Sequence, residues 1–138
     1  MKGRIKWDTP IEAFTKKETE ELVMEIFYFC RKSLGMIPRN GSYPLIWIRP
    51  RKKSGSFGEY SPHMHMIEIF SAECESLRRF VDTVIHEYTH ACQPWIGVRY
   101  TAYSKKFGYQ KNPFEIEARR VAKENRTECL KHLSNVFE

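Results

Sequence analysis

No stretch of the 138-residue chain approaches the run of about 18 apolar residues that a membrane-spanning helix needs. The N-terminus, Met-Lys-Gly-Arg-Ile-Lys-Trp-Asp, opens on basic residues without an apolar core behind them, so it does not read as a secretory signal. Cysteine is scarce. Cys30, Cys74, Cys92 and Cys129 are the only four, and no two form a CxxC pair. That argues against a zinc site built from them and favours buried free thiols in a reducing cytosol, hence a cytoplasmic protein. Acidic residues are outnumbered, 17 against 23 Lys and Arg, for a net charge of +6. The excess is dispersed over Lys2/Arg4/Lys6, Arg49/Arg51/Lys52/Lys53 and Arg119/Arg120, with no nucleic-acid motif around it. Such charge attracts nucleic acid, acidic protein or anionic cell-wall polymer, but a dispersed run is more often a solvated surface. Nucleic acid therefore stays a secondary candidate partner, and a membrane is not expected. A hydrophobic content of 41% with 14% aromatics supports one domain with a real core, and the length is too short for two.

Histidine is almost as scarce, yet two of the five stand in His86-Glu87-Tyr88-Thr89-His90. HExxH on a helix is a zinc-binding pattern that also supplies a general base for hydrolysis. Four residues at 100° each leave the two imidazoles about 40° apart around the helix and about 6 Å apart along it. Glu87 lies to one side, able to reach a water beside the cation without being a ligand. The helical context is strong. With His86 at 0°, Leu77, Phe80, Val81, Val84, Ile85, Tyr88 and Cys92 fall between about 160° and 260°, one apolar stripe over more than four turns. Both histidines and Gln93 lie opposite that stripe, which argues against ordinary core histidines. The plain alternative is a solvated polar face. The spacing predicts a helix from near Ser71, with Ser71 as cap, that ends by Gln93 because Pro94 disfavours helix in the residue before it.

A hydrolytic zinc site needs a third protein ligand and one open position. A metzincin arrangement would place Gly at position 93 and His at 96, where this chain has Gln93 and Ile96. The only histidine after His90 is His132, on the apolar side of a later helix, where a packed histidine is the simpler reading. Carboxylates are better candidates. In Asn112-Pro113-Phe114-Glu115, Asn at N-cap, Pro at N1 and Glu at N3 mark a helix start. Glu115 has a plain alternative role, closing a capping box. On this helix Phe114, Ala118, Val121, Ala122, Cys129 and Leu133 form the buried stripe, with Glu115 at its edge. Glu117 falls with Glu124 and Glu128 on the solvated face. The small Ala118 and Ala122 would let the two helices approach closely. Glu115 is the preferred third ligand and Glu117 the alternative.

HExxHxxQ, a short aromatic-rich connection and NPxExEA opening a final helix resemble the gluzincin zinc peptidases, and more narrowly the small minigluzincin or SprT-like metallopeptidases. The resemblance covers residues 64–122. It implies a zincin-like α+β domain in which His86, His90 and Glu115 hold Zn²⁺ and Glu87 acts as base. Where that pattern often has Asp four residues after the ligand Glu, hydrogen-bonded to a histidine, this chain has Arg119. Arg119 keeps open a reading without catalysis, a zinc-stabilised binding protein of phage or mobile-element origin. SprT proteases that digest DNA-crosslinked proteins carry a third histidine shortly after HExxH and often a Cys-rich zinc ribbon. Neither is present, so a DNA-associated protease is the enzymatic alternative.

The first half reads as scaffold. Thr15 and Glu18 predict a capping box before an amphipathic helix that carries Leu22, Ile26, Phe29 and Cys30 and stops at Gly35; an earlier start at Thr9-Pro10 with Glu12 is a second option. Residues 45–48 read as a strand, and 57–60 with 64–70 as a hairpin turning at Ser61-Pro62. The last strand leads into the zinc helix and is expected at the cleft rim, where an extended peptide can add to it. His63 and His65 fall in it at i, i+2 and are read as lining residues. The connection 95–111 is expected as a surface loop. One positive or hydroxyl group there must stabilise a developing oxyanion, and Tyr100, Tyr103, Tyr109 and Arg99 are equal candidates. Gln93 either touches substrate or caps its helix. The expectation is thus a single α+β zincin-like domain over 1–138 with a small antiparallel or mixed sheet. Residues 1–63 are scaffold, and 64–138 carry the edge strand, zinc helix, connecting loop and glutamate helix. Its expected activity is zinc-dependent hydrolysis of a peptide or protein substrate.

Overall fold

The structure, a computed structural model, describes Met1 and residues 3–50 and 55–137; Lys2, Arg51, Lys52 and Lys53 of the basic clusters lie outside these described residues. Helix α1 (Lys16–Ser33) starts as its sequence predicts. Thr15 Oγ1 accepts from the Glu18 N–H at 3.1 Å and the Glu18 carboxylate accepts from the Thr15 N–H at 2.9 Å, a reciprocal capping box. The helix buries Leu22, Val23, Ile26, Phe27, Phe29 and Cys30. It ends where Gly35 takes φ 68, a left-handed conformation that costs a residue with a Cβ about 1–2 kcal/mol. The option of an earlier start resolves into a separate 3₁₀ turn, Ile11–Ala13.

Strands β1 (Leu45–Arg49), β2 (Gly58–Ser61) and β3 (Met66–Phe70) form a mixed sheet in the order β1-β3-β2. β1 runs parallel to β3, and β2 antiparallel to it. Two expectations are corrected here. β3, which leads into the zinc-motif helix, is the central strand, and β2 is the edge on the cleft side, because β1 returns to pair with the far side of β3. His63 and His65 lie in the β2–β3 turn and not in a strand, since His65 adopts φ 49. The His65 ring is occupied by Tyr60 Oη at 2.8 Å and the Ser42 carbonyl at 2.9 Å. The hydrophobic alternation of β3 holds: Ile67 and Ile69 are buried beneath the helices.

The predicted continuous helix from Ser71 is also corrected. A single turn, α2 (Ser71–Cys74), is cut off at Glu75, which takes φ 61 and ψ −60. Ser76 then caps α3 (Leu77–Cys92), its Oγ accepting from the Arg79 N–H at 3.2 Å. The break has a tertiary cause. The N-terminal segment crosses here, and its Thr9 and Trp7 carbonyls accept from the Leu77 and Arg78 N–H groups that a continuous helix would use internally. Leu77, Phe80, Val81, Val84, Ile85 and Tyr88 of α3 are fully buried, each contributing roughly 1.5–3 kcal/mol of apolar burial. The Tyr88 hydroxyl donates to the Met36 carbonyl at 2.8 Å, so its one polar atom is satisfied inside the core. α3 ends at Gln93, ahead of Pro94, as expected.

The expected loop 95–111 is mostly a helix, α4 (Ile96–Phe107). The final helix α5 (Pro113–Phe137) lays Ala118, Ala122, Cys129, Leu130 and Leu133 into the core, and its closest helical partner is α3. The fold is compact α+β. Cys30, Cys74 and Cys129 are buried and Cys92 partly so, all as free thiols. Burial pushes Cys74 up to about 11 and Cys92 and Cys129 up to about 12, which makes them unreactive near neutral pH. No helix among the described residues is long and apolar enough to cross a membrane.

Candidate metal centre

The buried stripe of α3 dictates where its other face points. Anchoring Phe80, Val84 and Tyr88 in the core turns His86 and His90 into a cleft of about 450 Å³ between β2, α3, α4 and the start of α5. The two imidazole centroids are 4.9 Å apart. Glu115, at the third position of α5, extends toward both. Its Oε1 lies 2.8 Å from His86 Nε2 and 3.1 Å from His90 Nε2. The three candidate ligand atoms fall within 4.8 Å of one another, and no other such His/Cys/Asp/Glu group occurs among the described residues. Two imidazole nitrogens and one carboxylate oxygen, with one side open to a cleft, could together hold a metal ion. His90 and Glu115 are only 4% exposed, so both are held in fixed geometry.

The competing roles resolve. Glu115 does not close a capping box, because the Asn112 N–H bonds the Tyr109 carbonyl at 3.3 Å instead. Glu117 is exposed and outside the ligand group. His132 pairs with Glu25 at 2.7 Å, far along α5 from the site.

Gln93 has a role that sequence reasoning missed. It is 3% exposed, and its Oε1 accepts from His90 Nδ1 at 2.6 Å. Its amide nitrogen donates to the Phe114 carbonyl and to Glu117 Oε1, both at 2.9 Å. Those two acceptors fix the amide orientation. His90 therefore keeps a proton on Nδ1 and turns Nε2 toward Glu115 and the cleft. Gln93 thus joins the end of α3 to the start of α5 and orients a candidate ligand in the same contact. The signal available in sequence was its spacing, one turn beyond His90.

Asn112 ties α4 into the same corner. It has no exposed surface; its Oδ1 accepts from the Phe114 N–H at 3.0 Å, and its amide donates to the Tyr100 carbonyl and Ser104 Oγ at 3.2 and 3.0 Å. Tyr100, so placed, donates its hydroxyl to Glu115 Oε2 at 2.5 Å. Burial raises the Glu115 pKa, but the hydrogen bonds from His86, His90 and Tyr100 outweigh it and hold the carboxyl well below the usual range. Burial likewise disfavours the charged form of His90, yet Glu115 and Glu87 more than compensate and raise its pKa.

Glu87 faces the same cleft at 8% exposure, and no described residue hydrogen-bonds its carboxylate. Burial raises its pKa, partly opposed by His90 and His86. A largely buried carboxylate without a hydrogen-bond partner among the described residues, its pKa shifted upward, is suited to accept and return a proton.

Of the four oxyanion candidates, Tyr100 and Tyr109 line the cleft and two do not. Tyr103 packs on Phe107 and Phe114, and Arg99 lies exposed over the Trp95 ring. Arg119 turns to the Gln110 carbonyl and hydrogen-bonds neither histidine. Edge strand β2 forms the opposite wall through Gly58, Glu59, Tyr60 and Ser61. It reaches α3 because residue 58 is glycine: a Cβ there would stand 2.9 Å from Thr83 Cγ2 and 3.1 Å from the Glu68 carbonyl. Comparison with protein-family models, with curated proteins and with solved structures finds no match.

Proposed function

We propose that this protein is a zinc-dependent metallopeptidase of gluzincin type, acting on a peptide or protein substrate. The observation that carries the proposal is the convergence of His86, His90 and Glu115 within 4.8 Å beside the unpartnered, buried Glu87. A Zn²⁺ held by those three residues would lower the pKa of a water and polarise a carbonyl oxygen. The remaining chemistry belongs to the chain. Glu87 takes the proton of the attacking water, holds it on a largely buried carboxylate, and delivers it to the amine that leaves. Gln93 keeps His90 in the required tautomer, and Tyr100 keeps Glu115 facing the histidines.

Cleft composition supports a peptide over a nucleic acid. No described residue lining it is Lys or Arg, although the protein as a whole carries a net charge of +6. Edge strand β2 adds to this support, because the outer side of an edge strand offers backbone groups to an extended peptide. Unpaired cysteines suit a reducing compartment, and the cytoplasm is the proposed location.

The test is hydrolysis of a mixture of fluorescence-quenched peptides by zinc-loaded wild type and Glu87→Gln. The proposal expects the variant to keep its zinc and to lose on the order of 10²–10⁴-fold in rate. Equal rates for the two proteins would overturn it.

A further inference from the structure

We infer that Tyr109 is the residue that hydrogen-bonds the developing oxyanion of the substrate, and that Tyr100 is not; this rests on the metallopeptidase reading above. Four candidates were equivalent in sequence, and their surroundings separate them. Arg99 and Tyr103 do not line the cleft. Tyr100 lines it, but its hydroxyl hydrogen is directed into Glu115 Oε2 at 2.5 Å. Donating to a substrate would require breaking that bond and releasing the carboxylate it holds. Tyr109 is different. Its ring lines the cleft with His86, Glu87, His90 and Glu115, and no described residue hydrogen-bonds its hydroxyl.

The chain holds residue 109 there from both sides. Gly108 closes α4 with its N–H on the Ser104 carbonyl at 2.8 Å and turns the backbone at φ 80. The Tyr109 carbonyl accepts from the Asn112 N–H, the residue that caps α5. The backbone is thus fixed between two helix ends while the ring, 56% exposed, stays free to meet a substrate. A phenol titrates near 10 in water. Burial and the nearby Glu115 and Glu87 carboxylates raise it further, so the hydroxyl remains a donor at neutral pH.

In the reaction, water oxygen bonds to the carbonyl carbon and the C=O π pair moves onto the carbonyl oxygen. Tyr109 donates a hydrogen bond to that oxygen without transferring its proton. Glu87 carries the water proton to the nitrogen as the C–N bond breaks and C=O re-forms. One donor aimed at an oxyanion is worth about 10²–10³ in rate.

Acetohydroxamate, a small anion that chelates catalytic metals, tests this without turnover. The protein is loaded with Co²⁺ and titrated with acetohydroxamate by visible absorption, wild type beside Tyr109→Phe and Tyr100→Phe. Tyr109→Phe should keep the cobalt spectrum and bind acetohydroxamate about 10- to 100-fold more weakly, the loss expected for one hydrogen bond to a charged group. Tyr100→Phe should instead hold cobalt less tightly. Normal cobalt uptake with unchanged acetohydroxamate affinity in Tyr109→Phe would overturn the assignment and leave the metal site standing. A wild type that takes up no cobalt would overturn the site reading and this assignment with it.

Discussion

Replacing Gln93 by alanine removes three hydrogen bonds at once, and their surroundings set the cost. Glu117 is exposed and regains water, so its lost bond matters little. The His90 Nδ1–H and the Phe114 carbonyl are enclosed where α3 meets α5, and each group left unsatisfied costs about 1–3 kcal/mol. The fold should therefore lose about 2–4 kcal/mol, a little less than the sum because water can enter the vacated space. Zinc affinity should fall 10- to 100-fold, the usual effect of removing an outer partner from a ligand histidine. Competition against a chromophoric chelator measures the affinity, and urea unfolding of the metal-free protein measures the stability. Gln93→Glu separates the two roles. It keeps an acceptor for His90 but loses the donor to Phe114, so it should bind zinc nearly as well as wild type while remaining destabilised. Zinc affinity of Gln93→Ala within two-fold of wild type would refute the assignment of Gln93 as the residue that orients His90.

Other consequences can be checked on the same protein. The metal-free form should lose stability as pH rises from about 6 to 8. His90 has a folded pKa above its unfolded value near 6.5, so its contribution is full below that pH and lost as pH climbs through the folded value. Glu87, also raised, acts in the same direction, whereas Glu115, depressed, contributes above about pH 4 and fails only in stronger acid. Thermal melts across this range that rise toward pH 8 would contradict the electrostatics described. Gly58→Ala should cost about 1–3 kcal/mol, since its Cβ meets both the Thr83 methyl and the unyielding Glu68 carbonyl; an unchanged urea midpoint would mean β2 does not press on α3 as described. Glu75→Gly should stabilise by about 1 kcal/mol by relieving the φ 61 conformation between α2 and α3. A lower melting temperature for that variant would count against the break as a strained point.

Local signals were legible where side chain and backbone act within one element. The Thr15–Glu18 box, the α3 stripe and the Asn112-Pro113 start need only their own helix, and each stands in the structure as read. Features decided between elements were not legible. The start of α3 moved from Ser71 to Ser76 because distant carbonyls at Thr9 and Trp7 capture its first amides. α4 carried little periodicity because only Ile96 of its residues is buried; it is held by Asn112, Tyr100 and a close approach of Gly97 to Pro62 and not by an apolar stripe. Strand order depended on which side of β3 receives β1, which no single strand encodes. At the site, helical phase was enough to favour Glu115 over Glu117. The spacing of Gln93 from His90 pointed to their contact, whereas its bonds to Phe114 and Glu117 required knowing that α5 begins where α3 ends.

The central claim is that His86, His90 and Glu115 form one zinc site. Elemental analysis of untagged wild type beside Glu115→Ala and Glu117→Ala tests it most directly. About one zinc per chain in wild type and Glu117→Ala, with marked loss in Glu115→Ala, is the predicted result. Wild type that holds no zinc even after zinc is supplied, or Glu115→Ala that retains it fully, would contradict the claim.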